Sequence, residues 1–207
     1  MKKKSQKPIL IISALVGVVL LITMIGTYAL ANWFSKIDNS DLVPAEASAA
    51  DYFRTSYPQV ADVTPLAYAT LEEILFLTNP DNRASGIILF AFPECPWCQK
   101  AIPELTQAAT TNDVDQILYF NITEIRANDT PEYQEIVGYL ANYLESGEDG
   151  QPRIFVPHVF FIKNGQVQNH HLGTIESDTQ AQEPLTGTQQ EELRSIYGAM
   201  MQALKTD

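Results

Sequence analysis

Cys95 and Cys98 are the only two cysteines in this 207-residue chain, and two residues separate them. An apolar run at 86–92 comes just before them, and a helical pattern at 98–105 follows. The pair therefore lies where a buried strand gives way to a helix. A Cys-x-x-Cys pair at such a junction is typical of a thiol–disulfide redox site. With no other cysteine in the chain, the two can bond only to each other or to a partner.

The spacing assigns a role to each residue of the pair. An exposed Cys95 at the helix start meets free N–H groups and the helix dipole, which lower the pKa of a thiol. Pro96 suits the first helical position because its missing N–H does no harm there. Cys98 lies one turn further in and more deeply buried. We predict Cys95 as the nucleophile, Cys98 as the resolving thiol and Trp97 as an apolar platform for a substrate peptide.

Two inert interpretations of the pair are weaker. A closed zinc site needs two more ligands, and the chain has only three histidines, His158, His170 and His171. Neighbouring strand residues point to opposite faces, so at most one of the last two could join. A structural disulfide would close too small a loop to stabilise the fold much. We therefore expect a redox site without a metal or a cofactor.

The first 31 residues are predicted to be a membrane anchor. Four lysines within the first seven residues precede an uncharged, apolar stretch at 9–31, and about 20 such residues span a bilayer. The positive-inside rule then places the rest of the chain outside the cytoplasm, as the domain of a single-pass protein of the cell membrane. The alternative is a signal peptide cleaved near Ala31, which would make the protein secreted. The stretch is long for a signal peptide, which favours the anchor.

Charge and composition divide the remaining chain. All 25 acidic residues and 9 of the 13 basic ones follow Ala31, and so acidic a body is not expected to bind nucleic acid. Residues 32–59 are small and polar, which predicts a tether. Residues 60–207 are enough for one domain.

The apolar periodicity predicts the order strand, helix, strand, helix, strand, helix, hairpin, helix, which is typical of an α/β sandwich with a mixed sheet. Its strongest local signals are capping boxes at Thr70–Glu73 and Thr188–Glu191 and a hairpin turn at Asn164–Gly165. The segment 146–152 is predicted to be a loop.

The chain resembles the thioredoxin-like superfamily. The similarity is carried by Cys95-x-x-Cys98, Pro103, Val156-Pro157, Lys163-Asn-Gly165, Val167 and Gly173. It implies a three-layer sandwich with a mixed central sheet. It also implies that Pro103 interrupts the active-site helix and that a cis Val156–Pro157 bond lies beside the cysteines. The backbone of Val156 would then pair with a substrate strand.

One departure from that family concerns the proton acceptor. Thioredoxins bury an aspartate six residues before the first cysteine, where this chain has Leu89. Glu94 and His158 are the two candidates that could replace it. The chain looks most like the membrane-anchored thioredoxin-like proteins of Gram-positive bacteria, including bacteriocin transport accessory proteins.

The resemblance leads to two functional hypotheses. The first is a membrane-tethered thiol–disulfide oxidoreductase that acts on the thiols and disulfides of exported proteins or peptides and is reset by a membrane redox partner. A valine before the cis-proline resembles Dsb-type oxidants, which favours an oxidase. The second is a bacteriocin or peptide export accessory protein that binds a transporter or a peptide, with incidental redox activity.

Overall fold

A mixed sheet of five strands lies at the centre of the part of the chain that the structure describes, with helices packed on both of its faces. The computed structural model describes residues 46–205. The helices are α1 (Glu46–Ser56), α2 (Leu71–Thr78), α3 (Pro96–Thr111), α4 (Thr123–Ala127), α5 (Pro131–Leu140) and α6 (Gly187–Lys205). The strands are β1 (Leu66–Tyr68), β2 (Gly86–Ala91), β3 (Ile117–Asn121), β4 (Glu145–Ser146), β5 (Pro152–Arg153), β6 (His158–Lys163) and β7 (Gln166–Leu172).

The strand order in the sheet is β1-β3-β2-β6-β7. Strands β1 and β2 run parallel to β3, whereas β6 is antiparallel to β2 and β7 to β6. β2 is the central strand and is apolar throughout because both of its faces are covered. Its side chains alternate, with Leu89 on the face of α1, α3 and α6 and Phe90 on the face of α2 and α5. The predicted α/β fold with a mixed sheet is confirmed.

Capping interactions between nearby residues set where the helices α2 and α6 begin. Thr70 caps α2 through the predicted box, in which the Glu73 N–H donates to the Thr70 hydroxyl at 3.2 Å and the Thr70 N–H to the Glu73 carboxylate at 2.7 Å. The capping box predicted at Thr188–Glu191 is wrong. Thr186 and Gln189 make the reciprocal bonds instead, at 2.9 and 3.3 Å, so α6 begins earlier. The segment predicted as a loop at 146–152 is bordered by the short pair β4–β5.

The turn between β6 and β7 requires its glycine. Asn164 and Gly165 both have positive φ, 52° and 76°, as in a two-residue hairpin turn. A Cβ on Gly165 would lie 2.2 Å from the carbonyl oxygen of Pro80. The Gly165 N–H also donates to the Ala84 carbonyl at 2.8 Å, which fixes the hairpin against the segment before β2.

The tether predicted at 32–59 is wrong over its second half. Residues 46–56 form α1, and Phe53 and Tyr57 are buried, with 0% and 1% of their surfaces exposed. These aromatic side chains pack into the same core as the cysteines and the central strand. The predicted anchor at 1–31 and the rest of the tether lie outside the described residues. Within 46–205, no helix is both long and apolar enough to cross a membrane.

Candidate active site

Cys95 lies at the end of the central strand and caps the helix that follows. β2 ends at Ala91, and the Cys95 Sγ accepts a hydrogen bond from the Cys98 N–H at 3.2 Å, which makes Cys95 the N-cap of α3. Pro96 takes the first helical position, as predicted. Both thiols are free, and Cys98 is fully buried. Cys95 is 5% exposed, less open than the sequence led us to expect.

The two thiols differ strongly in acidity. A hydrogen bond from the Cys98 side chain is the main cause that lowers the pKa of Cys95 from 9.0 to about 7, although burial opposes it. The backbone N–H groups of Cys98 and Trp97 and the charge of Arg126 add to this lowering. Burial raises the pKa of Cys98, and its hydrogen bond to Cys95 and the charge there raise it further. At neutral pH, Cys95 is therefore about half ionised, whereas Cys98 stays protonated and donates its proton to the Cys95 sulfur.

Val156 and Pro157 lie beside the cysteines. The Val156–Pro157 bond is cis, and the Cys95 Sγ lies 3.6 Å from the Val156 carbonyl oxygen. Pro157 directly precedes β6, which pairs with β2, so the sheet register carries Val156 to the end of β2 where α3 begins. The residues predicted to do the chemistry and those predicted to bind substrate are thus brought together.

A groove of about 900 Å³ lies beside Trp97 and Val156. These are two of the residues that the sequence analysis predicted to contact substrate. Its lining also contains four carboxylates: Glu145, Glu176, Asp178 and Glu192. Asp178 is ion-paired with Lys100, and the other three carboxylates together with the apolar Trp97 and Val156 suit a polypeptide segment that carries positive charge.

A buried ion pair supports Trp97, and sequence reasoning missed it. The Lys100 Nζ lies 4.3 Å from the centre of the Trp97 ring and 2.6 Å from the Asp178 Oδ2. It also donates to the Gln180 carbonyl at 2.9 Å. Both charged side chains are more than nine-tenths buried. The pair therefore fixes the loop after β7 against α3 directly behind Trp97.

Arg126 is a second residue that the sequence analysis missed. It lies on α4, half-buried, where it donates to the Ile154 carbonyl at 3.1 Å and lies 5.4 Å from the centre of the Phe92 ring. Its charge lowers the pKa of both cysteines. The parallel pairing of β2 and β3 is the signal that could have found it, because residues that follow two parallel strands meet at one edge of the sheet.

Neither candidate proton acceptor is in position. Glu94 is exposed. His158 pairs across the strands with Phe90, packs on Phe160 with ring centres 4.1 Å apart, and hydrogen-bonds to His170 at 3.0 Å. Phe90 and Phe160 lie in the core opposite to the one that holds the cysteines. His158 as the acceptor for Cys98 is therefore wrong.

Pro103 lies inside α3, five residues after Cys98, as the resemblance implies. Within 46–205, no three or more His, Cys, Asp or Glu side chains are grouped so as to hold a metal ion. No family model matches the chain, and no curated protein matches it either.

Proposed function

We propose that the protein is a thioredoxin-like thiol–disulfide oxidoreductase, tethered to the cell membrane, that acts outside the cytoplasm on exported proteins or peptides. The observation that carries the proposal is the unequal cysteine pair: an acidic Cys95 at a helix start, a fully buried Cys98 one turn away, and the Val156 carbonyl 3.6 Å from the Cys95 sulfur. The mixed sheet with helices on both faces is compatible with the thioredoxin-like fold.

The reaction follows from the roles of the two sulfurs. The Cys95 thiolate attacks a substrate disulfide, forms a mixed disulfide and releases one substrate sulfur as a thiolate. Cys98 then loses its proton and attacks the Cys95 sulfur, which breaks the mixed disulfide and releases the second substrate sulfur. The substrate is reduced and the protein pair is oxidised; substrate oxidation is the same sequence in reverse. A membrane redox partner exchanges electrons with the Cys95–Cys98 pair to reset it.

The direction of the reaction depends on the reduction potential. Val156 before the cis-proline favours an oxidase. The pKa of Cys95, about 7, instead equals the value typical of thioredoxin and lies far above that of a strong oxidant. Equilibration with glutathione buffers measures the potential. A value near −120 mV supports the oxidase, and one near −270 mV identifies a reductase.

Trapping tests the enzymatic proposal. A Cys98→Ser variant of the full-length protein leaves Cys95 able to attack but unable to be resolved, so it is expected to accumulate mixed disulfides with exported proteins. A Cys95→Ser, Cys98→Ser variant is the control and is expected to capture none. Mass spectrometry of the captured species identifies the clients.

The same groove also suits one further candidate function, peptide export accessory activity without redox chemistry. Under that function Cys98→Ser captures nothing, while the double serine variant still supports peptide export. This pair of results would overturn the enzymatic proposal.

A further inference from the structure

The two groove residues predicted to contact substrate come from distant parts of the chain. Trp97 lies in the first turn of α3, whereas Val156 lies in the segment before β6. A polypeptide whose disulfide reaches Cys95 would contact both residues at once. Their relative position therefore matters, because a misplacement of about 1 Å costs a reaction about a hundredfold. An element that joined the two would keep them in place while the substrate binds.

Lys100 holds Trp97 from behind. Its Nζ lies 4.3 Å from the centre of the Trp97 ring, and only 8% of the lysine side chain is exposed. Cation–π contacts are strongest when the cation is removed from water, as it is here. The same Nζ lies 2.6 and 2.7 Å from the two carboxylate oxygens of Asp178 and donates to the Gln180 carbonyl at 2.9 Å. Trp97 is thus tied to the loop that follows β7.

That loop continues the connection to the cis-proline. The Thr174 hydroxyl donates to the Asp178 Oδ2 at 2.8 Å, and Thr174 is itself buried. The N–H of the preceding residue, Gly173, donates to the Pro157 carbonyl at 2.8 Å. Gly173 has a φ of 77°, which a glycine adopts without strain and which turns the chain between these two bonds. Every step from Trp97 to Pro157 is therefore a ring contact, an ion pair, a hydrogen bond or a short piece of chain.

The energetics of a buried ion pair favour a positioning role over a stabilising one. Two buried charges lose their hydration, and apolar side chains of similar volume are often as stabilising or more so. An ion pair also imposes a direction, because the ammonium has to meet the carboxylate. Gly173, Thr174 and Asp178 all belong to the lining of the groove. The order that the ion pair imposes therefore falls on the surface that a substrate would contact.

We propose that Lys100, Asp178 and Thr174 form a clamp that holds the two sides of the groove in the geometry that a polypeptide disulfide requires; this inference rests on the proposed function. The three act through Trp97 and the loop after β7, so they are positioning residues. A small disulfide can reach the Cys95 sulfur without contact to either side of the groove. The clamp therefore gives Cys95 a preference for polypeptide disulfides over small ones.

Single-turnover kinetics with two reagents test the clamp. One reagent is a short peptide whose central cysteine carries a nitrothiobenzoate group, and the other is the same mixed disulfide of mercaptoethanol. The Cys95 thiolate attacks the sulfur of the peptide or of mercaptoethanol, the S–S bond breaks, and yellow nitrothiobenzoate leaves with the electron pair. Its release from the reduced full-length protein is followed by stopped flow at pH 7. The peptide series gives a half-saturating concentration and a limiting rate, and the small reagent gives the reactivity of Cys95 alone.

The double variant Lys100→Met, Asp178→Leu separates position from stability. Replacing both charges by apolar side chains is expected to keep the free energy of unfolding close to that of the wild type, while the connection between Trp97 and the loop is lost. We expect the half-saturating peptide concentration to rise about tenfold, less than the hundredfold cost of a 1 Å displacement of reacting groups. The limiting rate and the rate with the small reagent should not change, because only binding is weakened. Thr174→Val keeps the ion pair and should give a smaller rise.

The other ion pair of α3 provides the matched control. Arg194 and Glu104 join α6 to α3 with Nε and Oε2 3.3 Å apart, and neither residue is among the described residues that line the groove. Arg194→Met, Glu104→Leu makes the same kind of replacement on the same helix. It is expected to behave as wild type with both reagents.

The outcomes distinguish the clamp from the proposed function. An unchanged half-saturating concentration in Lys100→Met, Asp178→Leu, or an equal rise in the control, would overturn the clamp. Equal slowing with the small reagent would also overturn it, because the change would then lie in Cys95 itself. Thr174→Val removes one hydroxyl and tests the clamp even where the double variant unfolds. Wild-type protein that reacts no faster than glutathione with either reagent would instead overturn the proposed oxidoreductase.

Discussion

The acidity of Cys95 depends mainly on its partner cysteine, and two substitutions at one position can show this. The Cys98 side chain is the largest cause of the lowered pKa of Cys95, ahead of the backbone donors at the helix start. Cys98→Ala removes that donor but keeps the helix. Cys98→Ser keeps a hydroxyl donor of similar size and is the matched control. Both variants leave Cys95 as the only thiol, so its titration is unambiguous.

The expected size of the effect follows from the pKa. Lowering it from 9.0 to about 7 corresponds to about 2.7 kcal/mol in favour of the thiolate. A hydrogen bond to a charged group contributes about 1.5–3 kcal/mol. In Cys98→Ala we therefore expect the pKa of Cys95 to rise to about 8 or higher. The ionised fraction at pH 7 then falls from about one half to about one tenth, while Cys98→Ser stays close to the wild-type protein.

The assay is the rate of reaction with a small disulfide reagent between pH 5 and 10, with thiolate absorbance at 240 nm as a second measure. A less acidic thiol gives a more nucleophilic thiolate, so the alkaline plateau of Cys98→Ala should lie about threefold above that of Cys98→Ser. At pH 7, where a smaller fraction of Cys95 is ionised in Cys98→Ala, the Cys98→Ser variant should react faster. If the pH–rate profiles of the two variants had the same midpoint, the Cys98 side chain would not be the main cause of the lowered pKa of Cys95. The backbone N–H groups at the helix start would then be the cause.

Three other predictions concern the surroundings of the pair. Arg126→Gln is expected to raise the pKa of Cys95, measured by the same titration, while Arg54→Gln on the exposed face of α1 leaves it unchanged. Lys100→Met is expected to lower the free energy of unfolding by about 3–5 kcal/mol in urea titrations, because it leaves a buried carboxylate unpaired, and adding Asp178→Leu should restore most of it. Burial lowers the pKa of His158 from 6.5 to about 3, so its contribution to stability is complete above pH 6.5 and is lost as the pH falls toward 3. Between pH 7 and pH 5, the free energy of unfolding measured in urea should decrease by at most about 1.4 kcal/mol per pH unit. In His158→Phe this decrease should be smaller.

The sheet could be predicted because its signals are local. The continuous apolar run of β2, the Thr70 capping box and the Asn164–Gly165 turn each depend on residues within a few positions of one another. Helix α1 could not be predicted in the same way. Its segment is rich in small and polar residues, and it is fixed by a few aromatic side chains whose partners, such as Tyr68 and Tyr119, lie on distant strands.

The features of the site also fall into two groups, those that the sequence predicted and those that only the tertiary fold shows. The order of ionisation of the cysteines follows from a short motif, and the place of Pro157 was implied by the resemblance to thioredoxin-like proteins. Arg126 and the Lys100–Asp178 pair act across 31 to 78 positions of chain, and only the sheet topology brings them to the cysteines. His158 illustrates the reverse error. It is one residue from Pro157 in sequence, yet the alternation of side chains along β6 places it on the other face.

The two cysteines control each other in a way that orders the reaction. While Cys95 is a thiolate, its charge and its hydrogen bond raise the pKa of Cys98, so the resolving thiol is kept protonated before a substrate is attacked. In the mixed disulfide the Cys95 sulfur carries no charge and no longer attracts that proton. Both of these causes then disappear, and burial alone still opposes ionisation of Cys98. The pKa of Cys98 therefore falls at the step that needs its thiolate, and a route for the proton is the one requirement left to the surrounding core.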